Sequence, residues 1–415
     1  MDAPATRQAG KTIPYAELVA LTGAVMALNA LAIDMMLPAL GVIGEALGAA
    51  RENDRQLIVV VYIVANGVSQ LFMGPLVDRF GRRRVLLLAL MAYALGSLFS
   101  VVANSLVLLL AARVFQGAAT AGARVAVLAM LRDRFSGPRM AQAMSIAITI
   151  FMAAPVLAPL LGQWVLMAGS WRLIFGILLG YGAIIAIWAA FRIPETQSAG
   201  TRPALSFRRA FADYGEFFSM RASFGYVAVQ TFLFAGLFGF ISSSEQIYVD
   251  QYGLGAWFPA AFAASAIGFA IAAIANSQLV MRVGAKTLVR VALIALIVVQ
   301  IAHLGVYTMI DDSAVAFAAF VTATLFCMGF VTPNAQALSM EPAGHIAGVA
   351  AAASGFATGA VGGAIGGLIG RFYDGTTLPL VVSFAVLGAL ALAAAVWADG
   401  APQTAIAEKQ TGGSP

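Results

Sequence analysis

Apolar stretches of roughly 20 residues alternate with short polar segments along almost the whole chain. A helix that crosses a bilayer needs about 20 apolar residues, so the pattern predicts twelve membrane-spanning helices. They are predicted to begin near Glu17, Leu57, Val85, Leu106, Met140 and Arg172 in the first half, and near Ala222, Phe258, Thr287, Ala314, Ile346 and Leu378 in the second. The longest polar stretch, residues 192–221, separates the two sets of six.

The spacing of these helices divides the chain into two bundles. We predict an N-terminal tail over 1–16, a six-helix bundle over 17–191, a linker over 192–221, a second six-helix bundle over 222–398 and a C-terminal tail over 399–415. A weak internal repeat agrees with duplicated halves, because Arg282 and Gly284 follow Arg79 and Gly81 by 203 residues. The expected fold is an all-α membrane protein of two pseudo-symmetric six-helix bundles.

Composition supports this architecture and excludes several classes of function. Of the 415 residues 61% are hydrophobic and only 10% are charged, against about 25% charged in a soluble domain, and the mean hydropathy is +0.89. The sequence has two histidines, one cysteine and no Walker A motif. We therefore expect no metal site, no enzymatic activity and no nucleic-acid partner.

The distribution of basic residues orients the helices. Counted by predicted loop, eighteen of the 24 Lys and Arg residues fall on the side of both termini, and four fall on the other side. The remaining two, Arg113 and Arg124, lie inside helix 4. Because basic residues accumulate on the cytoplasmic side, both termini are predicted to be cytoplasmic.

Asp34 is the one clear acidic residue inside a predicted span. A carboxylate there costs roughly 2.5 to 3.5 kcal/mol on insertion scales, so it is expected to face a cavity or a cationic partner. The alternative is that Asp34 lies at the outer interface and is hydrated. Pro38 follows one turn later and is expected to end or kink the helix.

A polar stripe on helix 4 supplies the candidate partner. At 100° per residue, Arg113, Thr120 and Arg124 lie within about 20° of one another, with Gln116 beside them. Arg113 lies roughly 10 Å below the outer end of its helix, a depth similar to that of Asp34. We therefore predict an Asp34–Arg113 pair, direct or through water. Gln116, Thr120 and Arg124 are candidates for lining a polar cavity, and the alternative for Arg124 is an extension to lipid phosphates.

Prolines mark two further helices. In helix 5, Pro155 and Pro159 remove backbone donors, and Gly162 belongs to a small face that permits close packing, which predicts a hinge or a seal. In helix 10, Asn334 follows a proline directly, and Gln336 comes two residues later. They either line a cavity or mark a packing kink.

The densest charge cluster is GPLVDRFGRRR, residues 74–84, between helices 2 and 3. Its arginines mark a cytoplasmic hairpin, and its second glycine supplies a permissive turn conformation. The stretch resembles the loop signature G-x-L-x-D-R-x-G-R-R of the major facilitator superfamily at Gly74, Leu76, Asp78, Arg79, Gly81, Arg82 and Arg83. This resemblance implies a cytoplasmic gating motif. Asp78 should be matched by a nearby arginine or, as the family suggests, by the N-terminus of helix 11.

Three more stretches resemble the same superfamily. RVFQG places Arg113 and Gln116 on the R-x-x-Q-G segment of helix 4, and APVLAPLLGQ resembles the helix 5 signature of drug/proton antiporters. IDMMLPAL resembles the D-x-Y-L-P-A stretch of the bicyclomycin and chloramphenicol resistance (Bcr/CflA) subfamily. Asp34 and Pro38 fall on that motif, and Met36 stands in place of the usual tyrosine.

The resemblance implies a twelve-helix transporter of the bacterial inner membrane whose central cavity, lined by helices 1, 4, 7 and 10, opens alternately to each side. It implies proton-coupled export of small amphipathic compounds, including antibiotics and other drugs, with Asp34 and Arg113 as the proton-coupling residues. The expected partners are protons, substrate and lipid; no cofactor is expected, and the protein is expected to be monomeric. The nearer alternative is a proton-coupled exporter of a metabolite such as a sugar or amino acid, and the more distant one is a membrane enzyme or receptor.

Overall fold

The computed structural model describes residues 13–197, 207–309 and 312–400, and the regular structure in these ranges is helical throughout. In chain order the long helices are α1 (Tyr15–Ala46), α2 (Glu52–Phe80), α3 (Arg82–Val101), α4 (Leu106–Arg134), α5 (Gly137–Ala168), α6 (Arg172–Arg192), α7 (Arg221–Gln251), α8 (Gly255–Val283), α9 (Ala285–Met309), α10 (Ala314–Met340), α11 (Gly344–Arg371) and α12 (Leu378–Asp399). Within the described ranges, eleven of them are long and apolar enough to cross a membrane, and α5 contains the shorter apolar segment Ala154–Ala168. The all-α fold predicted from the sequence is confirmed.

One additional helix lies inside the stretch predicted to be a linker. It runs over Phe207–Ser219 and packs Tyr214 and Phe217 against α11 and the start of α7. The Tyr214 hydroxyl also donates to the Leu71 carbonyl of α2 at 2.8 Å, so this linker helix touches both halves. Residues 198–206 and most of both predicted tails lie outside the described residues, so the domain boundaries stay a prediction.

The two halves repeat the same packing. In the first half α2 and α3 pack against α4, and in the second half α8 and α9 pack against α10. The turns between the paired helices also match, because Gly81 has φ +93° and Gly284 has φ +85°. Side chains rarely adopt this left-handed region, so glycine is required at both turns. The weak sequence repeat therefore corresponds to a repeated backbone conformation.

The halves meet along two helix pairs, α2 with α11 and α5 with α8. Helix α11 carries glycines on two faces, since Gly363 packs against Ile63 of α2 while Gly366 packs against α7. The approach is closest at Gly67 of α2, where an added Cβ would overlap the backbone nitrogen of Ala360. Small residues allow helix backbones to approach this closely, so the α2–α11 contact is tight along much of its length.

Candidate transport site

Asp34 lies at a break in α1. The α-helical part of α1 ends at Asp34, a 3₁₀ turn follows over Leu37–Ala39, and a short α-helix continues over Leu40–Ala46. Pro38 in the turn lacks the backbone N–H that would continue the helix. Asp34 is only 4% exposed, which places it in the interior and not at a hydrated surface. Among the residues that the structure describes, its carboxylate has no hydrogen bond and no ion pair.

Helix α5 packs directly on this break. A Cβ at Gly162 would overlap the carbonyl oxygen of Met35, the residue that follows Asp34. Ala154, two turns earlier, is buried against two alanines of α1. Pro155 and Pro159 lie inside α5 without ending it. The small face predicted from the sequence therefore faces α1, at the level of its break.

Arg113 on α4 is fully buried and joins three helices. Its Nε donates to the Ile58 carbonyl of α2 at 3.0 Å, and its Nη2 donates to the Ala32 carbonyl of α1 at 2.9 Å. The guanidinium carbon lies 4.2 Å from the centre of the Tyr62 ring, a cation–π contact. Nη1 donates to the Gln116 side chain. All three guanidinium nitrogens therefore have a partner.

The direct Asp34–Arg113 pair predicted from the sequence is absent from the described structure, since no ion pair joins the two residues. The physical reason is the break in α1. A helix that ends leaves the carbonyls of its last turn without intrahelical donors, and Ala32 lies in that turn. Arg113 donates to this free carbonyl. Its N–H groups therefore bond to neutral acceptors, and the Asp34 carboxylate has no cationic partner among the described residues.

Gln116 and Thr120 are both at most 1% exposed in this structure, and their role as cavity-lining residues stays a prediction. Gln116 donates to the Ser97 hydroxyl of α3 at 2.8 Å. Thr120 donates to the Gln116 carbonyl at 2.7 Å, and its hydroxyl oxygen lies 2.9 Å from that of Tyr62. The Tyr62 hydroxyl in turn donates to Asn29 of α1 at 3.1 Å. These residues hold Arg113 and Tyr62 in place, which is a positioning role.

Of the remaining cavity candidates, Asn334 is also committed to packing. Its side-chain nitrogen donates to Asn276 of α8 at 2.6 Å and to the Phe330 carbonyl at 2.8 Å, which ties α10 to α8. In this structure Asn334 therefore occupies a packing position, and its role as a cavity-lining residue stays a prediction. Arg124 and Gln336 are half-buried, and their side chains have no partner within the described ranges, so both stay cavity candidates.

The GPLVDRFGRRR hairpin is held by contacts within the first half. Gly81 ends α2 and reverses the chain, so that Arg82 begins α3. The Arg82 guanidinium pairs with Asp78 at 3.2 Å and with Asp133 at the end of α4 at 3.0 Å. Arg83 donates to two carbonyls at the end of α6 at 2.7 and 2.8 Å. The hairpin therefore ties together the ends of α2, α3, α4 and α6.

Asp78 takes the nearby arginine and not the N-terminus of α11, to which its carboxylate makes no hydrogen bond in the part of the chain that is described. Arg82 follows Asp78 by four residues, so it lies within reach of the Asp78 carboxylate. Gln197, from the segment after α6, donates to the Asp78 carbonyl at 2.9 Å. Arg79 is exposed, and Gly74 has open space beside it, so packing fixes neither residue.

A family model described as Major Facilitator Superfamily matches residues 22–367. The chain belongs to the major facilitator superfamily. It is 30% identical over 341 residues to an uncharacterized MFS-type transporter, YdgK, of Bacillus subtilis, covering 81% of this chain and 84% of that protein. It is 31% identical over 327 residues to a bicyclomycin resistance protein homolog of Haemophilus influenzae, covering 77% and 80%. A shorter match, 31% over 193 residues, joins it to multidrug resistance protein D of Escherichia coli, covering 46% and 49%.

The fold comparison agrees with this assignment. The chain superposes on the xylose transporter XylE of Escherichia coli with a TM-score of 0.72, covering 94% of this chain and 98% of the other. The two sequences are only 10% identical, so the likeness concerns the major facilitator fold alone. The resemblance to Bcr/CflA-type drug transporters that the sequence indicates is confirmed by the relatives above.

Sequence reasoning missed several polar residues of this major facilitator protein. Tyr62, Asn29 and Ser97 complete the buried network around Arg113, and each is an isolated polar residue in an apolar helix. The available signal in the sequence was a single polar residue within an apolar span, because polar groups in apolar surroundings need hydrogen-bond partners. Glu245 and Gln246 are also buried, at the end of α7, and bond to the first half.

Proposed function

We propose that this major facilitator protein is a proton-coupled antiporter that exports small amphipathic compounds, antibiotics among them. In this proposal it acts as a monomer in the bacterial inner membrane, with both termini in the cytoplasm. The observation that carries the proposal is the buried Asp34 carboxylate, which has no partner at the break in α1. The names of the relatives, bicyclomycin resistance protein homolog and multidrug resistance protein D, support a drug as substrate.

Proton binding at Asp34 changes which acceptor the Arg113 guanidinium binds most favourably. A charged carboxylate in an apolar interior is costly unless it is paired, so an ionised Asp34 attracts the guanidinium away from its carbonyl partners. A protonated Asp34 leaves Arg113 on the carbonyls of Ala32 and Ile58, which is the observed arrangement. Because Ala32 belongs to the turn before the break, the protonation state of Asp34 is coupled to the conformation of α1.

The driving force is adequate for an exporter. One proton moving down about 100 mV gains roughly 2.3 kcal/mol, and a pH difference of one unit adds about 1.4 kcal/mol. Because about 1.4 kcal/mol corresponds to a factor of ten, the sum supports a substrate gradient of roughly a few hundredfold. No cofactor is needed in this scheme. Arg124 and Gln336, which have no partner among the described residues, are the side chains that we assign to substrate contact.

The test is proton-coupled efflux in inverted membrane vesicles. Asp34→Asn keeps the size of the side chain and removes its titration, so we expect substrate-induced proton release to be lost. Glu17→Gln is the matched control on the same helix, because Glu17 pairs with Arg192 at the other end of α1. It should retain coupled transport. Intact proton release in Asp34→Asn would show that the coupling residue lies elsewhere, and equal loss in both variants would trace the effect to α1 stability.

The substrate class needs a separate measurement. Uptake of a panel of radiolabelled sugars and amino acids into the same vesicles should show no proton-dependent signal above a vector control. Drug susceptibility of cells that express the protein should fall for amphipathic antibiotics. A pH-dependent flux of one metabolite without any change in susceptibility would favour the metabolite exporter.

A further inference from the structure

On the side opposite the Gly81 hairpin, the two halves are joined by a polar cluster that we call the outer seam. The 3₁₀ turn Glu52–Gln56 of the first half bonds to the end of α7 and to the end of α11 in the second half. Asn53 accepts from Gln246 at 2.8 Å and donates to the Tyr373 carbonyl at 2.9 Å. Arg371 pairs with Asp54 at 3.3 Å. Opening this side of the transporter requires these contacts to separate.

The most buried charges of the outer seam belong to an arginine with two carboxylates. Arg55 of α2 lies 3.5 Å from Glu245 and also pairs with Asp250, both on α7. The side chains of Arg55 and Glu245 are 11% and 6% exposed, while that of Asp250 is 46% exposed. Glu245 is therefore the interior member of this triad, and Asp250 is its solvent-facing member.

The charges around Glu245 do not balance. Among the described residues, Arg55 is the cation that faces it, against two acids, Asp250 on its own helix and the exposed Glu45 on α1. The phenol of Tyr373 lies beside the triad. One guanidinium therefore serves at least two carboxylates, which leaves an excess negative charge in a poorly solvated site. A bound proton removes this excess, and it is most favourable on the carboxylate with the least access to water.

We propose that Glu245 is a proton-binding site of the outer seam, and that its protonation from the outside weakens the contact of α7 with α1 and α2 and favours the outward-open state. A cavity of about 550 Å³ reaches the solvent-facing member of the triad, since it is lined by Asp250, Gln251 and Tyr373 among others. When Glu245 is neutral, Arg55 keeps only its solvent-facing pair with Asp250, so the more buried of the two ion pairs across the seam is lost and no unpaired charge remains in the interior.

The site is connected to the break in α1. Gly41 packs against both the Glu245 carboxylate and the Arg55 guanidinium, and it belongs to Leu40–Ala46, the short helix that follows the break. Helix α7 also contacts the 3₁₀ turn Leu37–Ala39. A change at Glu245 therefore acts on the segment that adjoins Asp34. The inference rests on the proposed antiport, in which the outer side of the membrane is the more acidic side.

The experiment measures the outer seam directly. Spin labels at Val42→Cys on α1 and Phe372→Cys after α11, both exposed positions in different halves, report its width in nanodiscs. Cys327→Ser removes the only native cysteine. In the otherwise unchanged protein, the population with long distances should grow as the pH falls from about 8 to about 5, a range in which buried carboxyl groups titrate.

Three variants test whether Glu245 is the group whose protonation widens the outer seam. Glu245→Gln should abolish the pH response and give long distances at every pH. Asp250→Asn removes the excess charge, so the midpoint should move to lower pH. Asp54→Asn breaks a different acid pair of the same seam and should keep the response. A normal response in Glu245→Gln, an upward shift in Asp250→Asn, or an equal loss in Asp54→Asn would each overturn the assignment.

The seam measurement is independent of the transport assay. If the distances respond through Glu245 but Asp34→Asn leaves coupled efflux intact, the proposed function fails and the proton site stands. If Asp34→Asn uncouples efflux while Glu245→Gln keeps a normal distance response, the outer site fails and the proposed function stands.

Discussion

Arg113 contacts main-chain carbonyls of two neighbouring helices, and this reach is a property of the guanidinium. Its planar fork carries five donors, so it can bond to α1, α2 and Gln116 at once while it stacks on Tyr62. The contact to Ala32 exists because α1 stops nearby and frees that carbonyl. The bond between Arg113 and Ala32 therefore depends on the interruption of α1 near Asp34.

Asp312, in the connection between α9 and α10, shows how a second buried acid is stabilised. His303 Nε2 lies 3.4 Å from both of its carboxylate oxygens, and the Thr377 hydroxyl also donates to it. Burial alone would raise the pKa of Asp312, but these hydrogen bonds outweigh burial and hold the pKa below its ordinary value of 3.8. Unlike Asp34, this carboxyl group is therefore fixed in its charged form by its surroundings.

We expect Asp312→Asn to lower stability near neutral pH by about 1.5 to 3 kcal/mol, the range for hydrogen bonds to a charged group. A carboxyl whose pKa is lowered on folding stabilises the protein above its unfolded pKa of about 3.9, and this contribution is lost as the pH falls through the folded pKa. The wild-type protein should therefore lose stability below about pH 4 more steeply than the variant.

Thermal unfolding of the detergent-solubilised protein as a function of pH measures this difference. Asp374→Asn is the matched control, because Asp374 is exposed and accepts only from Thr376. It should keep the wild-type pH dependence. Parallel curves for wild type and Asp312→Asn would mean that the His303 and Thr377 contacts contribute nothing to stability.

At the scale of elements, α5 and α1 form one functional unit. The face of α5 that contains Ala154 and Gly162 lies on α1 from its middle to its break. A continuous α5 supports an interrupted α1, and the contact is closest where α1 has lost its regular hydrogen bonds. The short side chains of α5 therefore allow the backbone of α1 to bend beside Asp34 without leaving a void.

Gly162→Ala tests this contact. The new Cβ would overlap the Met35 carbonyl, so one backbone must shift, and we expect a destabilisation of about 1 to 3 kcal/mol together with reduced transport. Gly176→Ala on α6 is the control, because nothing lies within 4 Å of the position that its Cβ would occupy. Alanine there should be neutral or stabilising by about 0.5 to 1 kcal/mol. The melting temperature and the transport activity in vesicles are measured on both variants. Equal effects of the two substitutions would contradict a close α5–α1 contact at Gly162.

At the scale of the whole molecule, the halves are in contact on both sides of the α2–α11 junction. The outer seam closes one end through side chains from both halves, and the linker helix spans the other end by contacting α2 and α11. Between them, close backbone packing at glycines joins α2 to α11. The polar ends therefore hold the molecule in its present state.

Linking the outer seam covalently should block transport. Asn53→Cys and Gln246→Cys, in a Cys327→Ser background, place two thiols where a hydrogen bond now joins the halves. A short cleavable bifunctional thiol reagent should crosslink them and abolish efflux, and reduction should restore it. Each single-cysteine variant, treated identically, should keep its activity. Unimpaired efflux in the crosslinked protein would show that the outer seam does not open during transport.

The order and character of the helices were determined by the sequence itself. Apolar length, the arginine-rich hairpin and the repeat at Gly81 and Gly284 are local properties of the chain, and the helices follow them because backbone polar groups in a bilayer must be satisfied within each segment. The break in α1 after Asp34 was also predictable, because it follows from Pro38 in the same segment. Proline acts on its own helix, whatever surrounds it.

The partners of the polar side chains were decided by the tertiary structure. Helical periodicity places Arg113, Gln116 and Thr120 on one face, but it does not say whether a carboxylate, a carbonyl or a hydroxyl lies opposite. Arg113 donates to a carbonyl that the break in α1 leaves free. Gln116 donates to the Ser97 hydroxyl, and Asp78 forms an ion pair with Arg82. Glu245 found its cation on the other half of the molecule, nearly 200 residues away in sequence. Such pairings depend on which donors and acceptors helix packing leaves free, and that is fixed only once all the helices are assembled.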